Sequence, residues 1–176
     1  LFEAEKWQKL VANWQQNQSR FHLFGLLQDE GVHAHQEHLF KIMRRARADR
    51  PEGEIILHPF LDGRDTPPRS SMEYLAKLRQ VMDEVGGCRI GTIMGRYYGM
   101  DRAEQWALTD RAYAAIVSAE GRAADDPVEA VQASYEQDKT PDGFKMVDEY
   151  ITPHIIAGYD GMRDGDAVMH FNYRQD

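Results

Sequence analysis

Basic side chains directly follow the apolar runs of this sequence, twice as a Gly-Arg pair. GRDTPPR follows EIILHPFLD, GRYYGMDR completes the run CRIGTIM, the run AVMHF ends in NYR, and DEGVHAH follows FHLFGLLQ. A guanidinium group binds phosphate or carboxylate oxygens through paired hydrogen bonds, so a cluster of arginines favours a ligand with two or three negative charges. The candidate ligand-binding residues are His33, Arg64, Asp65, Arg96, Arg102 and Arg174.

Asp65 stands beside Arg64 in a proline-rich loop and has two alternative roles. Nearby guanidinium groups favour the charged form of a carboxylate, so Asp65 would accept a hydrogen bond from a substrate hydroxyl or take its proton as a base. Alternatively, Asp65 only caps the loop. Each arginine likewise has a structural alternative to ligand binding, a salt bridge, and Tyr97 and Tyr98 have the alternative of filling the core. The residue types leave these alternatives open.

Hydrophobic patterning predicts strands and helices in alternation. Apolar runs predict strands at 21–28, 54–62, 88–95, 151–156 and 167–174. Apolar residues at helical spacing predict four helices: over 3–17, around Leu39, over 72–82 and from Trp106 onward. In the last of these, Trp106, Tyr113 and Val117 are predicted to face inward. Asp126 followed by Pro127 is a typical helix start.

This order of elements predicts an α/β fold, a three-layer α/β/α sandwich with a mainly parallel sheet. In such sheets the ligand crevice lies beyond the carboxyl ends of the strands. The candidate residues stand after predicted strands, so we expect them to share one crevice.

The composition excludes several classes of protein. The chain is 42% hydrophobic and 28% charged, as in an ordinary globular domain, and its net charge of -8 argues against a nucleic-acid partner. No apolar run has the length of a membrane span, and the single cysteine, Cys88, excludes an internal disulfide and is typical of the cytoplasm. The length predicts a single domain over 1–176, and Leu1 in place of methionine indicates a piece cut from a longer polypeptide.

The segment HAHQEH raises a metal-binding alternative. His33, His35 and His38 have a spacing similar to the HxHxDH signature of metallo-β-lactamase-type hydrolases, with Glu37 in place of the aspartate. No downstream run of histidines or carboxylates supplies further ligands for a binuclear site. We therefore expect no metal in this chain and keep a metal-dependent hydrolase as an alternative.

Four segments resemble the cofactor-independent phosphoglycerate mutase family: FGLLQDEGVHAHQEHLF, HPFLDGRDTPP, GRYYGMDR and DGDAVMHFNYR. The resemblance begins near Phe21 and is to the family's substrate-binding, or phosphotransferase, domain. It implies the interconversion of 3-phosphoglycerate and 2-phosphoglycerate, with a serine nucleophile and two manganese ions on a phosphatase-like domain that this chain lacks. The fragment alone would then be inactive. The family's substrate contacts match His33, Arg64, Asp65, Arg96, Arg102 and Arg174.

The chain departs from the family pattern in the segment around His33, and the sequence ends before a further arginine that the family has three residues after Arg174. The family usually shows SDGGVHSH, whereas this chain has QDEGVHAH, with substitutions at Gln28, Glu30 and Ala34. A second function stays open beside the mutase: a free-standing module that binds phosphate or sugar phosphates. The two differ in whether the gene continues into a phosphatase-like domain.

Overall fold

A computed structural model describes residues 1–174 of the chain. The helices are α1 Glu5–Gln16, α2 Gln36–Asp49, α3 Ser71–Val85, α4 Arg96–Gly99, α5 Trp106–Ser118 and α6 Pro127–Gln137, with a 3-10 helix at Asp148–Tyr150. The strands are β1 Phe21–Leu27, β2 Ile55–Leu61, β3 Cys88–Ile90, β4 Thr92–Gly95, β5 Arg122–Ala124, β6 His154–Ile156 and β7 Ala167–His170. No helix within the described range is long and apolar enough to cross a bilayer.

The strands form one seven-stranded sheet in the order β5-β6-β4-β2-β1-β7, with β3 also paired to β2. β7, β1, β2, β3 and β4 run parallel to one another. β6 is antiparallel to β4 and carries β5 parallel to itself. The α/β class and the mainly parallel sheet are thereby confirmed, and the reversal at β6 is an addition that the sequence pattern does not predict.

Both faces of the sheet are covered. Adjacent residues of a strand point to opposite faces, so the contacts of Phe21 and His22 show what packs on each face. Phe21 packs against Trp7 and Trp14 of α1 on one face. His22, the next residue, faces Tyr159, whose hydroxyl bonds the Ile116 carbonyl of α5. The sheet is therefore the middle layer of a sandwich, with helices on either side.

The predicted strand 88–95 is divided at Gly91 into β3 and β4. A Cβ atom at Gly91 would lie 2.9 Å from His58 Cε1 and 2.9 Å from Tyr159 Cδ2. Any side chain at position 91 would therefore collide with the rings of His58 and Tyr159, and glycine avoids that collision. The Gly91 amide still bonds the Leu57 carbonyl of β2 at 2.8 Å, so the path of the chain continues across the break.

The prediction that Trp106, Tyr113 and Val117 face inward is wrong. Trp106 is 69% exposed and Tyr113 65% exposed, and Val117 is only partly buried. The buried face of α5 carries Ala112, Ala115 and Ile116 instead. Trp106 and Tyr113 share the exposed face with Thr109 and Asp110, whereas the small side chains of the buried face allow a closer approach to the sheet.

The start of α6 is confirmed. The Asp126 carboxylate accepts hydrogen bonds from the backbone amides of Val128 at 2.8 Å and Glu129 at 3.4 Å. Pro127 occupies the first turn, where backbone N–H groups have no partner within the helix, so the missing N–H of proline costs no helical hydrogen bond.

A row of hydrogen-bonded side chains crosses β1, β2 and β4 beneath Tyr159. His22 Nε2 lies 3.1 Å from Asp166 Oδ2, His22 Nδ1 lies 2.9 Å from His58 Nε2, and His58 Nδ1 lies 2.9 Å from Thr92 Oγ1. Both histidines are fully buried. Burial lowers the pKa of His22, against the opposing effect of Asp166, and lowers the pKa of His58 further.

These lowered pKa values predict that the protein loses stability on acidification. Below about pH 6.5 the unfolded chain binds protons that the folded chain does not, so the free energy of unfolding falls as pH falls. Each histidine that stays neutral contributes a slope of up to about 1.4 kcal/mol per pH unit. Chemical denaturation at pH 7 and pH 5.5 measures the loss.

The matched variants are His58→Gln and His38→Gln, because His58 is buried and His38 is exposed. His58→Gln should reduce the slope between pH 5.5 and 6.5, since glutamine does not titrate in either state, whereas His38→Gln should leave it unchanged. An equal slope in all three proteins would contradict the assignment to the buried pair.

Candidate functional site

The carboxyl ends of β1, β2, β4 and β7 meet at one edge of the sheet, since these strands are parallel. His33 follows β1, Arg64 and Asp65 follow β2, Arg96 begins α4 directly after β4, and Arg174 follows β7. The structure therefore brings the predicted residues to a common edge. Their binding of a ligand stays a prediction.

Arg96 is the centre of the cluster and only 5% exposed. Its Nη1 donates hydrogen bonds to Asp62 Oδ1 at 2.7 Å and Asp65 Oδ2 at 2.6 Å, and its Nη2 lies 3.1 Å from His33 Nε2. A guanidinium only donates, so His33 Nε2 is the acceptor of this bond and carries no proton. Burial acts to lower the pKa of Arg96, but the hydrogen bonds to Asp65 and Asp62 outweigh it and raise the pKa.

Asp62 is a buried member of the cluster that the sequence analysis missed. Besides the bond to Arg96, its Oδ1 accepts the backbone amides of Arg64 at 3.1 Å and Asp65 at 3.0 Å. The loop-capping role left open for Asp65 thus belongs to Asp62, while the Asp65 carboxylate pairs with Arg96. An aspartate directly before Gly63, whose φ is 67°, is a turn signal that could have identified it.

The four arginines divide between two adjoining cavities. Arg64, Arg96 and Arg102 line a cavity of about 450 Å³, together with Tyr97 and Glu149. Arg102 also borders a second cavity of about 460 Å³, which Arg174, His170 and Asn172 line. Residues 100–102 form the wall between the two, so Arg102 faces both spaces and Arg174 only the second.

Glu149 is a further residue that the sequence analysis missed. Its Oε1 lies 3.6 Å from Arg64 Nη1. Burial raises the pKa of Glu149, and the charges of Arg64 and Arg96 oppose that rise. With Asp62 and Asp65 on Arg96, and Glu149 near Arg64, carboxylates balance much of the basic charge. The protein itself therefore supplies counter-charges for these arginines, in addition to any anionic ligand.

The three histidines of HAHQEH do not converge. His33 faces Arg96, whereas His35 Nδ1 accepts the backbone amide of Glu37 at 3.2 Å and caps α2. The His38 ring packs at 5.6 Å on Tyr173. Within residues 1–174, no three His, Cys, Asp or Glu side chains are grouped so that they could hold a metal ion.

The loop that delivers His33 is shaped by Gln28, one of the substituted positions. Gln28 is fully buried, and its Oε1 accepts the backbone amides of Gly31 at 3.1 Å and of Glu30. Its carbonyl accepts the Gln36 amide at 2.7 Å, which joins the end of β1 to the start of α2. Ala34 is also fully buried, and Glu30 is exposed. Gln28 therefore supports the turn that places His33 against Arg96.

A family model described as BPG-independent PGAM N-terminus matches residues 1–176 of the chain. Two curated proteins, each named 2,3-bisphosphoglycerate-independent phosphoglycerate mutase, are similar to this chain. The one from Listeria welshimeri is 45% identical over an alignment of 166 residues, and the alignment covers 92% of this chain and 31% of that protein. The one from Salinibacter ruber is 37% identical over an alignment of 185 residues including gaps, and the alignment covers 99% of this chain and 34% of that protein.

A crystal structure of Leishmania mexicana phosphoglycerate mutase, determined at low cobalt concentration, is similar in fold. It has a TM-score of 0.90 and 30% sequence identity, over 99% of this chain and 33% of that chain. The chain thus spans about a third of the length of the relatives it matches.

Proposed function

The chain belongs to the family described as BPG-independent PGAM N-terminus, and from this premise we propose that it binds and orients phosphoglycerate. The reaction would be the interconversion of 3-phosphoglycerate and 2-phosphoglycerate by a longer polypeptide. One observation carries the proposal: Arg64, Arg96 and Arg102 line a single cavity whose volume of about 450 Å³ suits a small organic anion. The names of the relatives support the choice of substrate.

The arginines would hold the ligand by its charges. Guanidinium groups on the two sides of the wall formed by residues 100–102 would provide separate positions for the phosphate and the carboxylate of one phosphoglycerate. A ligand held in this way is positioned for phosphoryl transfer, with its developing charge stabilised. Reorientation of the glycerate between the two transfers would need a ligand that is held by its charges and not by tight apolar packing.

Asp65 would act on the free hydroxyl of the substrate. Its Oδ2 is held by Arg96, 3.6 Å from His33 Nε2, at the carboxyl end of the sheet. A carboxylate in this place accepts a hydrogen bond from the hydroxyl and can take or return its proton. His33, fixed by Arg96, would supply a neutral imidazole beside it.

The nucleophile and the metal ions of the reaction are proposed to lie in the rest of the polypeptide. The resemblance implies a serine and two manganese ions on a phosphatase-like domain, in a cytoplasmic enzyme. We propose that residues 1–176 contribute a single substrate-binding domain to that polypeptide. This domain alone would hold the ligand without turning it over.

A free-standing phosphate-binding module is the second candidate, because the arginine cavity is built by this chain alone. The share of about a third of the relatives' length favours the mutase domain instead. Turnover of 3-phosphoglycerate by the full-length protein would decide between the two.

Titration of the chain with 3-phosphoglycerate, in low salt with EDTA, tests the proposal by NMR. We expect chemical-shift changes that saturate at millimolar ligand and cluster at the predicted residues: His33, Arg64, Asp65, Arg96, Arg102 and Arg174. Arg102→Ala should weaken binding at least tenfold, because a charge-assisted pair is lost.

Arg79→Ala is the matched control, since Arg79 pairs with Asp126 on an exposed surface of α3. It should leave the affinity unchanged. No saturable shifts at millimolar ligand, or shifts confined to other surfaces, would contradict the proposed binding site.

A further inference from the structure

Glu149 places a carboxylate in the wall of the cavity that Arg64, Arg96 and Arg102 line. Asp101, the other carboxylate residue of that lining, accepts the backbone amides of Ala103 and Gln105. Its side chain is only 15% exposed, whereas the side chain of its partner Arg64 is 65% exposed. An ion pair of 3.6 Å with so exposed a partner contributes little to stability. Stabilisation of the fold is therefore a weak reason for this carboxylate to be there.

The backbone that carries Glu149 is fixed on two sides. A Cβ atom at Gly95 would lie 2.1 Å from the Glu149 carbonyl oxygen, so the segment packs directly on the end of β4. The Gly95 amide donates to the Ile151 carbonyl at 2.7 Å, and the neighbouring Asp148 is anchored to the start of α3. The backbone position of the carboxylate is thus fixed, and Arg64 is the more exposed partner.

A fixed carboxylate affects anionic ligands according to their hydrogen-bonding groups. Sulfate has only acceptor oxygens, so Glu149 repels it and competes with it for Arg64. A ligand that carries a hydroxyl donates a hydrogen bond to the carboxylate and regains part of that loss. At separations of several ångströms near a protein surface, one charge alters an anion's affinity by about tenfold.

We propose that Glu149 is a specificity-determining residue that disfavours dianions without a hydrogen-bond donor, such as sulfate, and thereby reserves the cavity for hydroxylated phosphates. The substrate class in this inference rests on the proposed function, since phosphoglycerate has a phosphate, a carboxylate and a free hydroxyl. The exclusion of sulfate rests only on the position of Glu149 among Arg64, Arg96 and Arg102.

Sulfate and 3-phosphoglycerate are the two probes, each titrated at pH 7.5 into the chain and into Glu149→Gln by NMR. The variant should bind sulfate about tenfold more tightly, because a repelling charge is removed and Arg64 is released. Its affinity for 3-phosphoglycerate should rise by a smaller factor or fall, since the hydroxyl loses its charged acceptor. The ratio of the two affinities should therefore shift toward sulfate.

Glu52→Gln is the matched control, with the same change in net charge. Glu52 is exposed and precedes the amino end of β2, at the opposite edge of the sheet. It should alter neither affinity. An unchanged or weaker sulfate affinity in Glu149→Gln, or an equal gain in Glu52→Gln, would overturn the inference.

The two hypotheses fail separately. If Glu149→Gln gains sulfate affinity while neither protein binds 3-phosphoglycerate, the role of Glu149 in excluding sulfate stands and the proposed substrate is wrong. If the unmodified chain binds 3-phosphoglycerate and the variant binds sulfate no better, the proposed function stands and the specificity role is wrong. If neither the unmodified chain nor the variant binds either probe, both are wrong.

Discussion

Replacing Arg96 with alanine in the full-length protein is expected to reduce turnover of 3-phosphoglycerate a hundredfold or more. Arg96 holds Asp65, Asp62 and His33 with one guanidinium group, and loss of a single preorganised donor at a reacting site costs about a hundredfold or more. The substitution also leaves Asp62 as a buried carboxylate without its cation, which costs about 3 kcal/mol of unfolding free energy.

The two effects of Arg96→Ala are separable by a second variant. Arg96→Lys keeps a positive charge for the aspartates but loses the planar fork that reaches both Asp62 and His33. We expect it to recover most of the stability and little of the turnover. Steady-state kinetics and chemical denaturation of both variants measure this.

Arg89→Ala is the control for Arg96→Ala, because Arg89 forms an ion pair with Glu54 at the amino end of the sheet. It should retain near-normal kinetics. Near-normal kinetics in Arg96→Ala as well would contradict the central role of this guanidinium.

Replacing Asp148 with alanine is expected to lower the free energy of unfolding by about 3 kcal/mol. Asp148 is buried, and its Oδ2 accepts the amides of Ser70 and Ser71, each at 2.8 Å, at the start of α3. Its Oδ1 accepts the hydroxyls of Ser71 at 2.8 Å and of Tyr135. Alanine would leave all four donors without this acceptor in the interior.

Asp126→Ala is the matched control, since Asp126 also accepts two backbone amides at a helix start but is only partly buried. Its loss should cost about 1 kcal/mol. Asp148→Asn should cost less than Asp148→Ala, because the amide oxygen can still face the two backbone donors. Equal losses for the alanine variants of Asp148 and Asp126, measured by denaturant titration, would show that burial adds nothing to this cap.

Much of the parallel sheet could be predicted because its strands are buried on both faces. Such strands are continuous apolar runs, and FHLFGLL and IILHPFL became β1 and β2 with bounds close to those expected. The position of His33, Arg64, Asp65 and Arg96 at one edge followed from parallel pairing alone. No knowledge of side-chain contacts was needed for that step.

The remaining features depend on contacts between distant parts of the chain. The inward face of α5 was ambiguous because large hydrophobic residues, Trp106 and Tyr113, lie on one face and small ones, Ala112 and Ala115, on another. The role of Glu149 requires the close approach of its backbone to Gly95, which no local pattern encodes. The charge balance at Arg96 likewise depends on Asp62, which the sequence pattern places at the end of the predicted apolar strand 54–62.

The reversed direction of β6 explains why a residue that precedes a strand reaches the site. In the parallel strands, the chain arrives at this edge after each strand ends. Because β6 is antiparallel to β4, the chain passes this edge before β6 begins, and the 3-10 helix Asp148–Tyr150 lies there. A parallel β6 would have sent Glu149 to the opposite edge.

The pairing of β1 with β7 has a consequence for folding during synthesis. Residues 21–24 of β1 pair with residues 167–170 of β7, and the Arg20 amide bonds Asp166 across 146 positions of sequence. Until β7 leaves the ribosome, one side of β1 exposes unpaired backbone groups, and such edges promote association between nascent chains. Contacts of this sequence separation also slow folding. Completion of the sheet is therefore a late event in synthesis, and the edge of β1 stays unpaired until then.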